Sequence, residues 1–149
     1  MSHDQFVAYR ETAEKSYADS IATSGMLPTS EALAKARDDF SRLLPQGHRT
    51  ANQHFWVAFD GDQQVGMLWL AFTERSDGLH AFGYDFLVQP ALRRRGYGRA
   101  ILAAAEQLCR EQGVVAVGLS VFGANAGAQA LYEALGFKVT MLQMTKSLT

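Results

Sequence analysis

The chain has 149 residues, a formal net charge of −1 at pH 7, 48% hydrophobic content and a single cysteine, Cys109. The length fits one domain over residues 1–149 with a core of its own, and one thiol excludes a disulfide framework or a thiolate zinc cage, so no metal site is expected. Near-neutral charge argues against a nucleic-acid partner, apolar runs such as Val65 to Phe72 are too short to cross a membrane, and Met1 to Arg10 lacks a signal-peptide core, which together predict a cytoplasmic protein.

Ser2 can cap a helix from His3 to Thr23, with Phe6, Tyr9, Ala13 and Tyr17 at three- and four-residue steps and Gly25 as a stop. A second helix, capped by Thr29 or Ser30, runs to Leu44 on the stripe Leu33, Ala36, Phe40 and Leu43, and Pro45 ends it. The period then shortens to that of a strand. His54–Asp60 and Val65–Thr73 flank the turn Asp60-Gly61-Asp62, which predicts a hairpin, and a third strand follows at His80 to Val88 before Pro90. A helix from Tyr97 to Gln112, a strand from Val114 to Val121, a helix from Ala124 to Leu135 and a last strand from Phe137 to Lys146 complete the order. The expected fold is α/β, a mixed sheet flanked by helices and preceded by two N-terminal helices.

Arg93, Arg94, Arg95 and Arg99 crowd around Gly96 and Gly98 at the start of the helix from Tyr97. The first amides of a helix have no internal acceptor, so this turn can bind a pyrophosphate with arginines supplying the remaining charge. It is not a P-loop, because Gly98 is followed by Arg99-Ala100, and it is not a dinucleotide fingerprint, because position 101 is Ile101. The second motif is Asn125-x-x-Ala128-x-x-Leu131-Tyr132-x-x-Leu135-Gly136-Phe137. Its seven-residue spacing would put Asn125 and Tyr132 on one helical face with small Ala128 between them.

Arg93-x-x-Gly96-x-Gly98, preceded by Phe86-Leu87-Val88-x-Pro90, resembles the acetyl-CoA pyrophosphate loop of the GNAT superfamily of N-acyltransferases, and the second string resembles that family's other signature. The resemblance implies a mostly antiparallel GNAT sheet and an acetyl-CoA-dependent N-acetyltransferase. It also implies cofactor contacts from Phe86, Leu87, Val88, Arg93, Arg94, Arg95, Gly96, Tyr97, Gly98, Arg99 and Asn125. The Phe86 N–H would polarise the thioester carbonyl and Tyr132 would protonate the departing thiolate, a transfer that a phenol with a pKa near 10 can make.

The acceptor implied is a small-molecule or peptide amine, and a homodimer is left open. Some family members carry a glutamate four residues before the position of Phe86, where this chain has Phe82. The general base is therefore unassigned, with Asp85 the nearest carboxylate on the strand and Glu74 and His54 behind it. Many GNAT chains begin with a strand and this one opens on a helix, so its two helices would border the acceptor pocket and bring Tyr9, Tyr17, Trp56 and Trp69 near it. Cys109 lies ~16–18 Å along its helix from the pyrophosphate end and within the apolar stripe, which favours direct transfer over an acyl-enzyme. Two rival functions remain: a non-catalytic acyl-CoA-binding module or sensor, and a nucleotide-binding protein of another class.

Overall fold

The computed structural model describes residues 1–149. Helix α1 (His3–Thr23) starts where Ser2 and Gln5 form a capping box, each side chain taking the other residue's backbone N–H. Helix α2 (Thr29–Leu43) has Pro28 at its N-cap and no side-chain cap, so neither Thr29 nor Ser30 has the capping role expected of it. Both are already inside the first turn. The helices pack as an antiparallel pair around Ile21 and the small side chains of Ala18, Ala32 and Ala36, which let the backbones approach closely.

Strands β1 (Gln53–Asp60), β2 (Gln63–Arg75), β3 (Gly78–Val88) and β4 (Val114–Leu119) form one sheet in the order β1-β2-β3-β4. The first three are antiparallel meander partners, and β4 joins β3 in parallel after the crossover through helix α3 (Tyr97–Glu111). The N-terminal pair covers one face of the sheet, burying Phe6, Phe40, Phe55, Met67 and Trp69. On the other face α3 buries Leu68, Leu70, Ala81, Ala105 and Cys109. Helix α4 (Ala126–Ala134) follows β4. No helix is long and apolar enough to cross a membrane.

The last predicted strand is not formed. Residues 137–149 hold no regular structure, and Met141, Met144 and Leu148 are each at least 85% exposed. The apolar alternation of Phe137, Val139 and Met141 slips at Leu142, so this segment offers no single apolar face to a neighbour.

Candidate active site

Strand β3 is paired with β2 along its whole length, but its pairing with β4 begins at Leu79↔Val114 and ends at Gly83↔Leu119. From Tyr84 to Val88, the edge of β3 on the β4 side has no strand beside it. An open edge of this kind lets an extended molecule add itself through main-chain hydrogen bonds.

A bulge begins the open stretch. Trp69 opposes Asp85 while Leu70 opposes Gly83, leaving Tyr84 as the extra residue. The bulge puts Tyr84 and Asp85 on the same face of the sheet. Tyr84 stacks on Trp69 with ring centroids 4.7 Å apart, and Asp85 reaches α1. Phe86 turns to the opposite face and joins the cluster under α3.

Asp85 Oδ2 accepts a 2.7 Å hydrogen bond from the Tyr9 hydroxyl, and its Oδ1 accepts a 2.9 Å bond from the Phe86 N–H. Burial pushes the Asp85 carboxyl above the ordinary range, and the two hydrogen bonds offset only part of that rise. Tyr132, half-buried on α4 with its ring edge-on to Phe137 at 5.5 Å, is also pushed up, first by burial and then by the charge of Asp85. The carboxylate of β3 and the phenol of α4 are therefore within electrostatic reach of each other.

Next to them lies the arginine turn. Pro90–Leu92 makes a 3-10 turn anchored by buried Leu92, Arg94 takes φ +64°, and Gly96 sits at the N-cap of α3 with φ +86°. A glycine at the N-cap contributes no side chain, so nothing caps the first amides of α3. Arg93, Arg94, Arg95 and Arg99 are exposed around them, and Arg93 Nε donates to the Val88 carbonyl at 3.2 Å. Uncapped amides ringed by guanidinium groups fit a pyrophosphate. The Tyr97 hydroxyl is bonded to Asp60 Oδ2 at 2.7 Å, which ties the start of α3 to the β1–β2 hairpin.

Gly98 has a packing role. A Cβ there would lie 3.2 Å from Leu131 Cδ2, 3.6 Å from Phe86 Cζ and 3.7 Å from Val88 Cγ2. Its missing side chain lets β3, α3 and α4 meet at one point. Asn125 differs from its expected place: α4 begins at Ala126, and Asn125 is its cap, with Oδ1 accepting the Ala128 N–H at 3.1 Å. Its NH2 is left as the donor for another partner.

The other candidates separate. His54 stacks between Trp56 and Phe72, on the face of the sheet away from Asp85. Trp56 therefore lies on the α3 side, away from the N-terminal helices. Glu74 is exposed opposite Leu79, at the far end of the β2–β3 pair. Trp69 and Tyr9 do share the face of Asp85, and Tyr17 packs on Phe40 and Phe122. Cys109 is 3% exposed in the core under α3, and burial pushes its thiol up, which makes it unreactive. A surface depression of about 740 Å³ lies along α1 and the Gly47–Arg49 turn, and no residue of the two motifs lines it.

Residues 20–137 match the model of the Acetyltransferase (GNAT) family. The chain belongs to this family. The uncharacterized N-acetyltransferase YycN of Bacillus subtilis is 32% identical over 149 residues, covering 99% of this chain and 96% of YycN. Its crystal structure superposes with a TM-score of 0.96 over 100% of this chain and 96% of that one. YdgE of the same organism, also an uncharacterized N-acetyltransferase, is 30% identical over 99% of this chain and 95% of its own. A Salmonella typhimurium [Ribosomal protein bS18]-alanine N-acetyltransferase is 43% identical over 54 residues, 36% of either chain. The protein is thus an acyl-CoA-dependent GNAT acetyltransferase with a mixed, mostly antiparallel sheet.

In this GNAT acetyltransferase the hydroxyl of Tyr9 is the feature that sequence reasoning missed. It was expected as an aromatic wall of the acceptor pocket, and only the position of α1 against the bulge shows that it bonds Asp85. The same contact carries a stability prediction. Below the unfolded carboxyl pKa near 3.8, Asp85 is protonated in both states and contributes no pH dependence. Above it the unfolded chain ionises first, so stability falls as pH rises through the window up to the raised folded pKa. Asp85→Asn, whose carbonyl oxygen can still accept the Phe86 N–H while its NH2 donates to the Tyr9 hydroxyl oxygen, should melt higher than the wild type at neutral pH. The difference should close below pH 4, and melting curves across pH would show it; an Asn variant whose advantage over the wild type is no larger at pH 7 than at pH 3 would contradict the burial account.

Proposed function

We propose that the protein moves the acetyl group of acetyl-CoA directly to a primary amine in a ternary complex, with both substrates held by a single domain over residues 1–149. The first amides of α3, with Arg93, Arg94, Arg95 and Arg99, bind the pyrophosphate. The backbone from Phe86 to Val88 pairs with the pantetheine arm, and the Asn125 NH2 donates to it. The Phe86 N–H polarises the thioester carbonyl. As the amine nitrogen bonds to the carbonyl carbon, Asp85 takes a proton from that nitrogen. The C–S bond then breaks and Tyr132 gives its proton to the leaving thiolate.

One observation supports this reading above the others: Asp85 contacts the Phe86 N–H and acts electrostatically on Tyr132, so acid, base and carbonyl donor are grouped at the open edge of β3. Burial holds the Tyr132 phenol high and the charge of Asp85 adds to it, so neutralising Asp85 removes the second influence, and accepting the amine's proton prepares the acid for the next step. The relative named for an alanine acceptor matches 36% of this chain, which leaves small amines and peptide α-amines as acceptor classes to be distinguished by assay.

Calorimetry with acetyl-CoA, coenzyme A, ATP and NAD should give binding for the first two alone. A thiol-release assay with polyamines, aminoglycosides, amino acids and peptides should find at least one acetylated amine. Binding of ATP with no response to coenzyme A would overturn the cofactor assignment. Acetyl-CoA binding with no amine acylated would favour the binding-module reading.

A further inference from the structure

We infer that Tyr9 of α1 is a positioning residue of the acyl-transfer centre, its hydroxyl being the anchor that keeps the Asp85 carboxylate in place when the Phe86 N–H passes to the thioester carbonyl. This rests on the function proposed above. The Phe86 N–H is one donor with two claimants. Before acetyl-CoA arrives it serves Asp85 Oδ1 at 2.9 Å, and a carbonyl oxygen that takes it must displace that carboxylate oxygen. Asp85 is then left with the 2.7 Å bond from Tyr9.

Tyr9 is suited to that task. Its ring is wedged against Phe6 at 6.3 Å and Phe55 at 6.1 Å between centroids, so the hydroxyl is held by core packing. Burial and the adjacent carboxylate push its phenol far above the ordinary range, so it stays protonated, and a donor, at any working pH. Asp85 is faced by Tyr9 from α1 and Tyr132 from α4, and the residue opposite it on β2 is Trp69, whose indole N–H is committed to Gln53 Oε1 at 2.7 Å. The influences on its carboxyl are burial, Tyr9 and the Phe86 N–H, with no cation among them. Losing the Phe86 bond therefore strengthens Asp85 as a base at the moment an acetyl group is in position.

The experiment is an NMR titration of the Asp85 side-chain carboxyl in protein labelled with 13C-aspartate, assigned with Asp85→Asn. Wild type and Tyr9→Phe are each measured alone, with coenzyme A, and with acetyl-CoA. In Tyr9→Phe without ligand, Asp85 should titrate about one pH unit higher than in wild type, because a hydrogen bond to the charged form has been removed. In the wild type, acetyl-CoA should raise the titration by a similar amount, and coenzyme A, which lacks the thioester carbonyl that would take the N–H, should raise it less. Tyr9→3-fluorotyrosine keeps ring and hydroxyl but donates more strongly, and should lower it, which preserves the test if the Phe variant fails to fold. An Asp85 titration indifferent to both Tyr9 substitutions overturns the proposal, as does one indifferent to bound acetyl-CoA. Calorimetry run alongside separates that result from a failure to bind acetyl-CoA, which would overturn the cofactor reading instead.

Discussion

Tyr132→Phe is expected to lower kcat about 100-fold, about 2.7 kcal/mol of barrier, and to leave the acetyl-CoA Kd within about threefold of wild type. The phenylalanine keeps the ring that lies edge-on to Phe137 at 5.5 Å, so α4 retains its packing and only the hydroxyl proton is lost. That proton is held firmly in the resting protein, because burial and the charge of Asp85 both push the phenol up. Once Asp85 has accepted a proton the second influence disappears, and the phenol becomes a stronger acid as the C–S bond lengthens. In the Phe variant the thiolate must leave without that donor and take its proton from water. Stopped-assay thiol release, with acetyl-CoA calorimetry as the control, measures both quantities. A kcat within threefold of wild type would remove Tyr132 from the mechanism, and a Kd raised in proportion to the lost rate would make it a binding residue instead.

The difference between what could and could not be read from the chain is a matter of parity and distance. The helix from His3 to Thr23 is legible to the residue because Ser2 and Gln5 form a local capping box. Likewise, the Asp60-Gly61 turn and the glycine-arginine start of α3 depend on backbone chemistry within a few residues. Asp85 is a different case. Strict alternation from Ala81, which faces α3, would send Asp85 to the α3 side and Phe86 to the N-terminal helices. The extra residue Tyr84 reverses both assignments, and bulges depend on pairing with a second strand that periodicity does not see. The Tyr9–Asp85 bond spans 76 positions in sequence, beyond any local signal. The packing role of Gly98 is equally hidden, because the nearest neighbour of a Cβ there is the side chain of Leu131, supplied by a helix formed about thirty residues later. Asn125 stands one residue before α4 rather than on its face, because an asparagine that looks like a face residue serves equally well as the cap.

The largest stability loss is expected from Gly66→Ala, a position that neither signature contains. Gly66 lies opposite Ala58 on β1 and Val88 on β3. A Cβ there would be 2.3 Å from the Leu87 carbonyl oxygen and 2.9 Å from Ile101 Cδ1. Ile101 can change rotamer, but the carbonyl belongs to β3 and cannot move without taking the strand with it. Overfilling a packed site costs about 1–3 kcal/mol, and a clash with main chain puts this one near the top of that range. For a chain of this length, about 3 kcal/mol lowers Tm by about 6–12 °C. Gly61→Ala is the control: that glycine has φ +58° with open space around it, so its cost of about 1–2 kcal/mol is backbone strain alone. Function gives a second readout. The residues displaced by Gly66→Ala are Leu87, beside the Phe86 amide, and Ile101, in the first turns of α3, so acetyl-CoA affinity should fall with Tm. Gly61→Ala should reduce Tm and acetyl-CoA affinity less than Gly66→Ala does, because the Asp60–Tyr97 bond is the link from its turn to α3. Equal melting temperatures for the two variants would mean that β3 can yield at Leu87, and the rigid edge assumed for the acetyl-CoA slot would have to be given up.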